Sequence, residues 1–188
     1  MIRYLIGFIV TVGLIILLII MLFGGRGEPS KKVATSGKAL DAYSTTDASV
    51  RLTIDGPINA AQDHRQVQIT VDRYNAEVSQ FTGYDKQVVQ TDSFTNSEAG
   101  YSAFLHSLSL LGFNEGASPG SDKQSEAGHC ATGRRYILEL INNNKNVVRY
   151  WATSCGGPHT YQGNLQTTLY LFQHQIPNYD SLVNSSSL

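Results

Sequence analysis

The chain has 188 residues, and charged residues make up 15% of it. Its 14 lysines and arginines nearly balance its 15 aspartates and glutamates, so no excess positive charge favours a nucleic acid partner. The length suits one ordinary domain with its own core and is short for two. Ten tyrosines against a single tryptophan favour half-exposed sheet surfaces over a large apolar interior.

A long apolar run near the amino terminus predicts a membrane anchor. It extends from Leu5 to Phe23 without a charged residue, between Arg3 and Arg26. As a helix this run covers about 30 Å, the thickness of the hydrocarbon core of a bilayer. Secretory signals have shorter apolar regions that end in small residues at a cleavage site. We therefore predict an uncleaved transmembrane helix that binds the lipid bilayer, with a cleaved signal peptide as the alternative.

Two signals disagree on which side of the membrane the rest of the chain faces. Lysines and arginines are more frequent between Arg26 and Lys32 than before the span, where Arg3 stands, which favours a cytoplasmic carboxyl end. The pair Cys130 and Cys155 suits a disulfide, which persists outside the cytosol. Because a domain of this size can translocate despite flanking charge, we expect a single-pass protein of the cell membrane with an extracytoplasmic domain.

Composition divides the chain into five segments. Glycine, serine, threonine, lysine and alanine dominate after the anchor without a sustained periodicity, which is typical of a flexible stalk. Alternating apolar residues then begin at Val50 and predict strands. The predicted segments are a tail at 1–4, the transmembrane helix at 5–23, the stalk at 24–48, a globular domain at 49–182 and a loose tail at 183–188.

The globular domain is predicted to be α+β, with an antiparallel sheet of about five strands and two helices. Extended stretches are predicted at 50–54, 67–71, 76–81, 87–94, 136–141 and 147–153. The last two flank a run of asparagines, Asn142 to Asn144, and asparagine tolerates the positive φ angles of tight hairpin turns. Helical spacing of apolar residues predicts one helix over 97–111 and a second that begins near Asn164 and ends around Pro177.

The cysteines stand in a defined relation to this hairpin. If Asn142 and Asn143 are the two turn residues, Cys130 lies directly opposite Cys155 on the neighbouring strand. A turn shifted by one residue leaves the two cysteines diagonal on the same face. Either arrangement is close enough for a bond. A loop of about 25 residues closed in this way stabilises a domain by about 3–4 kcal/mol in the chain-entropy model. The alternative is two unpaired buried thiols in a cytosolic domain.

Two histidines near the cysteines define a candidate polar site. His129 adjoins Cys130 and His159 follows Cys155, so four potential zinc ligands are present. Adjacent residues on a strand point in opposite directions, however, and the spacing matches no usual zinc module. We expect a disulfide and no metal or cofactor, with His129 and His159 left as a candidate polar site.

Evidence for catalysis is weak. Residues 116–120 match the G-x-S-x-G pattern of serine hydrolases, but Pro119 lacks the backbone N–H that an oxyanion hole needs after Ser118. The sequence therefore predicts no catalytic residue and favours a binding or interaction module of the cell envelope, with an envelope protein or glycan as partner. Alternatives are a small tethered hydrolase or thiol enzyme using Cys155 and His159, and a structural subunit of an envelope assembly.

Overall fold

The computed structural model describes residues 12–14, 34–35, 39–117 and 125–183. Contacts divide the chain into two compact units, Met1–Lys32 and Val33–Leu188. Within the described ranges, no helix has the length and apolarity needed to cross a bilayer.

The predicted anchor falls almost wholly outside these ranges. Of its residues only Val12, Gly13 and Leu14 are described, and they are helical. Leu5 and Phe23, the predicted ends of the span, lie outside the described residues. The same holds for the tail at 1–4, for most of the stalk and for residues 184–188. The transmembrane helix therefore stays a prediction.

The second unit contains eight strands, one 3-10 helix and three α-helices among its described residues. In chain order they are β1 (Ala34–Thr35), the 3-10 helix (Leu40–Tyr43), β2 (Ser49–Asp55), β3 (Arg65–Val71), β4 (Asn75–Thr82), β5 (Gln87–Thr95), α1 (Glu98–Leu110), β6 (Glu115–Gly116), β7 (Arg135–Asn142), β8 (Lys145–Thr153), α2 (Leu165–Gln173) and α3 (Tyr179–Val183). The α+β class is confirmed. The sheet has six strands where about five were predicted, and α3 and the 3-10 helix add to the two predicted helices.

All six strands of the main sheet are antiparallel, in the order β5-β4-β3-β2-β7-β8. Strands β2 to β5 follow one another as a meander, and β7 then pairs with the free edge of β2. Strands β1 and β6 form a separate small pair. The sheet therefore joins a local meander to a hairpin that comes much later in the chain.

One face of the sheet carries the core. Alternate residues of β2 and β3 are fully or almost fully buried, because successive side chains of a strand point to opposite faces; they are Val50, Leu52, Ile54, Val67, Ile69 and Val71. Helices α1 and α2 complete this core, and the ring of Phe104 meets that of Phe172 edge to face at 5.2 Å. The opposite face of the sheet carries mostly polar side chains, together with Ile137 and Trp151.

Both predicted helices begin at side-chain caps. Before α1, the amide of Gly100 donates to Oγ of Ser97 at 3.1 Å, and before α2 the amide of Thr167 donates to Oδ1 of Asn164 at 3.1 Å. Such caps satisfy amides that a helix leaves unpaired in its first turn. Gly112, which follows α1, has a φ of 75°, as a helix stop requires.

Two expectations from composition are corrected. Residues from 40 to 48, assigned to the stalk, belong to the folded unit: Leu40, Tyr43 and Ala48 are buried, and the hydroxyl of Tyr101 donates to the carbonyl of Ala48 at 2.8 Å. Half of the tyrosines also lie in the core rather than on half-exposed surfaces; these are Tyr43, Tyr101, Tyr136, Tyr150 and Tyr161. Burial raises the pKa of Tyr101 and of Tyr161 above its ordinary value.

The disulfide between Cys130 and Cys155 is present, with a Cα–Cα distance of 5.6 Å, and the hairpin turn is shifted by one residue from Asn142 and Asn143. Asn142 pairs with Lys145, so Asn143 and Asn144 form the turn, with φ angles of 51° and 58°. Strand β7 begins at Arg135, after Cys130, and strand β8 ends at Thr153, before Cys155. Neither cysteine therefore lies in a strand. The bond therefore joins the two segments that flank the hairpin rather than opposite strand positions.

Candidate binding groove

An open groove lies on the polar face of the sheet, opposite the core. It has a volume of about 230 Å³. Strands β2, β3, β7 and β8, the turn between β4 and β5 and the segment before the disulfide all contribute to it. Its lining residues are Thr53, Asp55, His64, Gln66, Gly83, Tyr84, Lys86, Glu126, Ile137, Glu139 and Arg149. We call this set of residues the groove.

Asp55 organises one end of the groove. Its carboxylate lies 2.9 Å from Nε2 of His64 and 2.7 Å from Nη2 of Arg135. That arginine also donates to the carbonyl of Gly56 at 2.5 Å. His64 is 3% exposed and Arg135 is 4% exposed, so both partners of the carboxylate are taken out of water. The carboxylate and this carbonyl both receive Nη2 of the buried arginine, whereas its Nε is buried without a hydrogen-bond partner among the described residues.

His64 is fixed on both sides of its ring. Its Nδ1 lies 3.1 Å from the carbonyl oxygen of Pro57, while Nε2 faces Asp55, so both ring nitrogens point at acceptors. The ring of Tyr84 stacks on the imidazole, with centroids 4.2 Å apart and an interplanar angle of 11°. The hydroxyl of Tyr84 donates to the carbonyl of Asn59 at 2.9 Å. Tyr84 is therefore a positioned aromatic wall, and it is 48% exposed.

Paired charges form the other wall. Nη2 of Arg149 lies 2.7 Å from Oε2 of Glu126, and its Nε lies 3.6 Å from Oε1 of Glu139. Oε2 of Glu139 also lies 3.7 Å from Nη1 of Arg51, and its Oε1 accepts a hydrogen bond from the side-chain Nδ2 of Asn146 at 2.8 Å. Every carboxylate of the groove thus has a cationic neighbour. These partners hold the groove's charged side chains in place. Because the side chains are already ordered in the free protein, binding of a ligand does not incur the entropy cost of ordering them.

Lys86 stands apart from this pairing. It is exposed at the turn between β4 and β5, with a φ of 57°. Of the charged lining residues that the structure describes, Lys86 alone forms no ion pair. With the carboxylates matched to arginines and His64, the groove offers many hydrogen-bond donors and acceptors and little net charge.

The sequence did not single out the groove. His64 was not among the candidate site residues, and the structure buries it. Its burial depends on Asp55 in the preceding strand and on Arg135 in a strand far along the chain, so no local pattern signals it. A usable signal was the polar half of the strand alternation, because Thr53 and Asp55 alternate with the core residues Leu52 and Ile54.

His129 and His159, the predicted polar site, do not line the groove, and that site stays a prediction. His129 stacks on Trp151, with ring centroids 4.9 Å apart. His159 is exposed, and its Nδ1 lies 2.9 Å from the carbonyl oxygen of Gly157, in a separate hollow of about 240 Å³. Both cysteine sulfurs are used in the disulfide, so they cannot complete a zinc site with these histidines.

The structure does not test the G-x-S-x-G match. Ser118, the serine of the G-x-S-x-G pattern, lies outside the described residues. Across the described ranges, histidine, cysteine and carboxylate side chains nowhere gather in threes as a metal site would require.

Comparison of the sequence with protein-family models and with curated proteins found no match.

Proposed function

We propose that this chain is an extracytoplasmic binding module of the cell envelope, tethered by its amino-terminal helix, and that the groove is its ligand site. The observation that carries the proposal is the set of side chains that converge there and are held by neighbours before any ligand arrives: Asp55, His64, Tyr84, Glu126, Glu139 and Arg149. Preorganisation of this kind lowers the cost of binding. A few positioned polar groups around an aromatic wall are also what small-molecule sites commonly contain.

The ligand that suits this groove is a neutral, hydroxyl-rich molecule, a sugar unit of a glycan. Carboxylates and arginines that neutralise each other still offer unused acceptors and donors to hydroxyl groups. The exposed part of Tyr84 can pack against the apolar face of a sugar ring. A volume of about 230 Å³ is below the range of about 300–1,000 Å³ for drug-sized ligands. It therefore suits one ring of a larger glycan rather than a whole chain.

The disulfide supports both the compartment and the choice between functions. Disulfides persist in oxidising environments outside the cytosol, which favours an extracytoplasmic domain. A thiol enzyme would need a free thiolate, and Cys155 is bonded to Cys130. A binding module does not need a free thiolate.

The proposal is tested by titrating the purified full-length chain with neutral hexoses and N-acetylhexosamines while backbone amide NMR signals are followed. We expect shifts confined to groove residues, Gln66 and Glu139 among them. Tyr84→Ala removes the aromatic wall and should weaken binding about tenfold, since an aromatic contact is worth about 0.5–1.5 kcal/mol beyond its buried area.

Tyr74→Ala is the matched control, because Tyr74 is another exposed tyrosine and lies outside the groove. It should leave sugar binding unchanged. Absence of shifts in the groove with every sugar would overturn the ligand class. Shifts elsewhere, or an equal loss with both variants, would overturn the site.

A further inference from the structure

The two edges of the main sheet differ. At the β8 edge, the amides of Thr160 and Tyr161 donate to the carbonyl of Trp151 at 2.9 and 3.1 Å, and the Trp151 amide donates to Oγ1 of Thr160 at 2.9 Å. Tyr161 in turn forms a bridge with Gly116. The chain therefore covers its own β8 edge near the end of that strand.

Strand β5 forms the other edge, and in the described part of the chain no strand pairs with its outer side. Seven of its nine residues are exposed and the other two are half-buried. Val88 is 64% exposed and Val89 is 61% exposed. The strand contains no lysine, arginine or proline, which are residues that commonly protect an edge against pairing. A β-bulge at Val89, opposite Gln80 and Phe81, interrupts the strand, so the regular part of this edge is the stretch 90–95.

We infer that β5 pairs antiparallel with β5 of a second copy of this chain, joining two six-stranded sheets into one. The only charged residue of the strand, Asp92, argues for this partner. Its carboxylate already accepts a hydrogen bond from the Gln90 side chain at 2.6 Å. When Thr91 faces the partner's Thr91 across a two-fold axis, Asp92 faces the partner's Gln90, whose amide can donate to it.

The two-fold axis makes the contact between Asp92 and the partner's Gln90 occur twice, as in any isologous interface. The neighbouring register that sets Asp92 against the partner's Asp92 brings like charges together and is disfavoured. In the favoured register the bulged and exposed Val89 lies next to the partner's Ser93, where the regular pairing of residues 90 to 92 ends. With the two-fold axis perpendicular to the sheet, both grooves open on the same side of the dimer. The inference stands on the β5 edge alone and does not depend on the ligand of the groove.

The first test is the mass of the full-length protein in detergent, followed by sedimentation as a function of concentration. We expect a dimer that Val89→Lys weakens about tenfold, because each of two symmetric contacts loses up to about 1 kcal/mol. Leu110→Lys makes the same chemical change at an exposed position, 75% accessible, at the end of α1, and should leave the dimer unchanged. A monomer at every concentration, or equal effects of the two variants, would overturn the inference.

The second test fixes the register and does not depend on affinity. Thr91→Cys should give a covalent dimer on mild oxidation, because facing positions of paired strands lie about 4.5–5.5 Å apart between Cβ atoms. Lys145→Cys, on the opposite edge of the sheet, is the control and should stay monomeric under the same conditions. Crosslinking by both variants, or by Lys145→Cys alone, would contradict pairing through β5.

Discussion

At the scale of single residues, Asp55 connects the groove to the stability of the fold. Its carboxylate receives Nε2 of His64 and Nη2 of Arg135, and both of these partners are buried. Buried ion pairs are weak evidence of net stabilisation, but removal of one member leaves the other charge without compensation. The same carboxylate therefore shapes the ligand site and compensates the charge of a buried arginine.

We expect Asp55→Ala to lower the free energy of unfolding by about 3–5 kcal/mol, the usual cost of breaking a buried pair. Urea denaturation followed by tryptophan fluorescence measures this loss. Asp63→Ala removes a carboxylate from an exposed position and should change stability by less than about 0.5 kcal/mol. Equal stability of the two variants would show that Asp55 does not hold Arg135 in place.

At the scale of elements, long periodic segments were predictable and short ones were not. Strand alternation located β2 and β3, and helical spacing with a serine cap located α1 to within a residue at each end. The 3-10 helix, the β1–β6 pair and α3 are too short to carry a period, and they form through contacts with the rest of the domain. The hairpin was found, but its turn lies one residue later than predicted, because three consecutive asparagines allow more than one register.

The hairpin turn gives a test at this scale. Asn143 and Asn144 both have positive φ angles, a region that costs ordinary residues about 1–2 kcal/mol and β-branched residues more. Asn144→Val should therefore destabilise the domain by about 2 kcal/mol, as measured by urea denaturation. Asn142→Val, at the last position of β7, lacks a positive φ and should cost much less. The opposite order would place the turn where the sequence alone had placed it.

At the scale of the whole molecule, the disulfide holds a cover over the polar face. Trp151, the only tryptophan, points away from the core cluster and is nonetheless buried. His129 stacks on its ring, and Thr160 is hydrogen bonded to its backbone. Glu126, which lines the groove, belongs to the same segment as Cys130. The bond therefore links the cover of Trp151 to one wall of the ligand site.

Reduction of this bond should expose Trp151 and loosen the groove. We expect its emission to shift to longer wavelength and the free energy of unfolding to fall by about 3–4 kcal/mol, the value for a closed loop of about 25 residues. A double variant, Cys130→Ser with Cys155→Ser, should show the same emission without reductant and no further change with it. An unchanged emission on complete reduction would mean that the cover holds without the bond.

The order of the strands was beyond reach of the sequence. Adjacent strands could be paired by their short turns, but nothing local indicates that β7 pairs with β2, because a helix and a long polar segment separate them. The face that became the groove depends on this same pairing, which brings Arg135 to Asp55. Fold class, most elements and the disulfide were thus predictable, whereas the site required the assembled sheet.

The central position of β2 has a consequence for biosynthesis. While the ribosome has released only the meander, β2 keeps one hydrogen-bonding edge open, because its second neighbour is encoded far downstream. An unpaired edge next to apolar side chains such as Val50 and Leu52 invites association with other nascent chains. This edge of β2 stays open until the hairpin of β7 and β8 has been synthesised. We therefore expect truncated products that stop before residue 135 to aggregate.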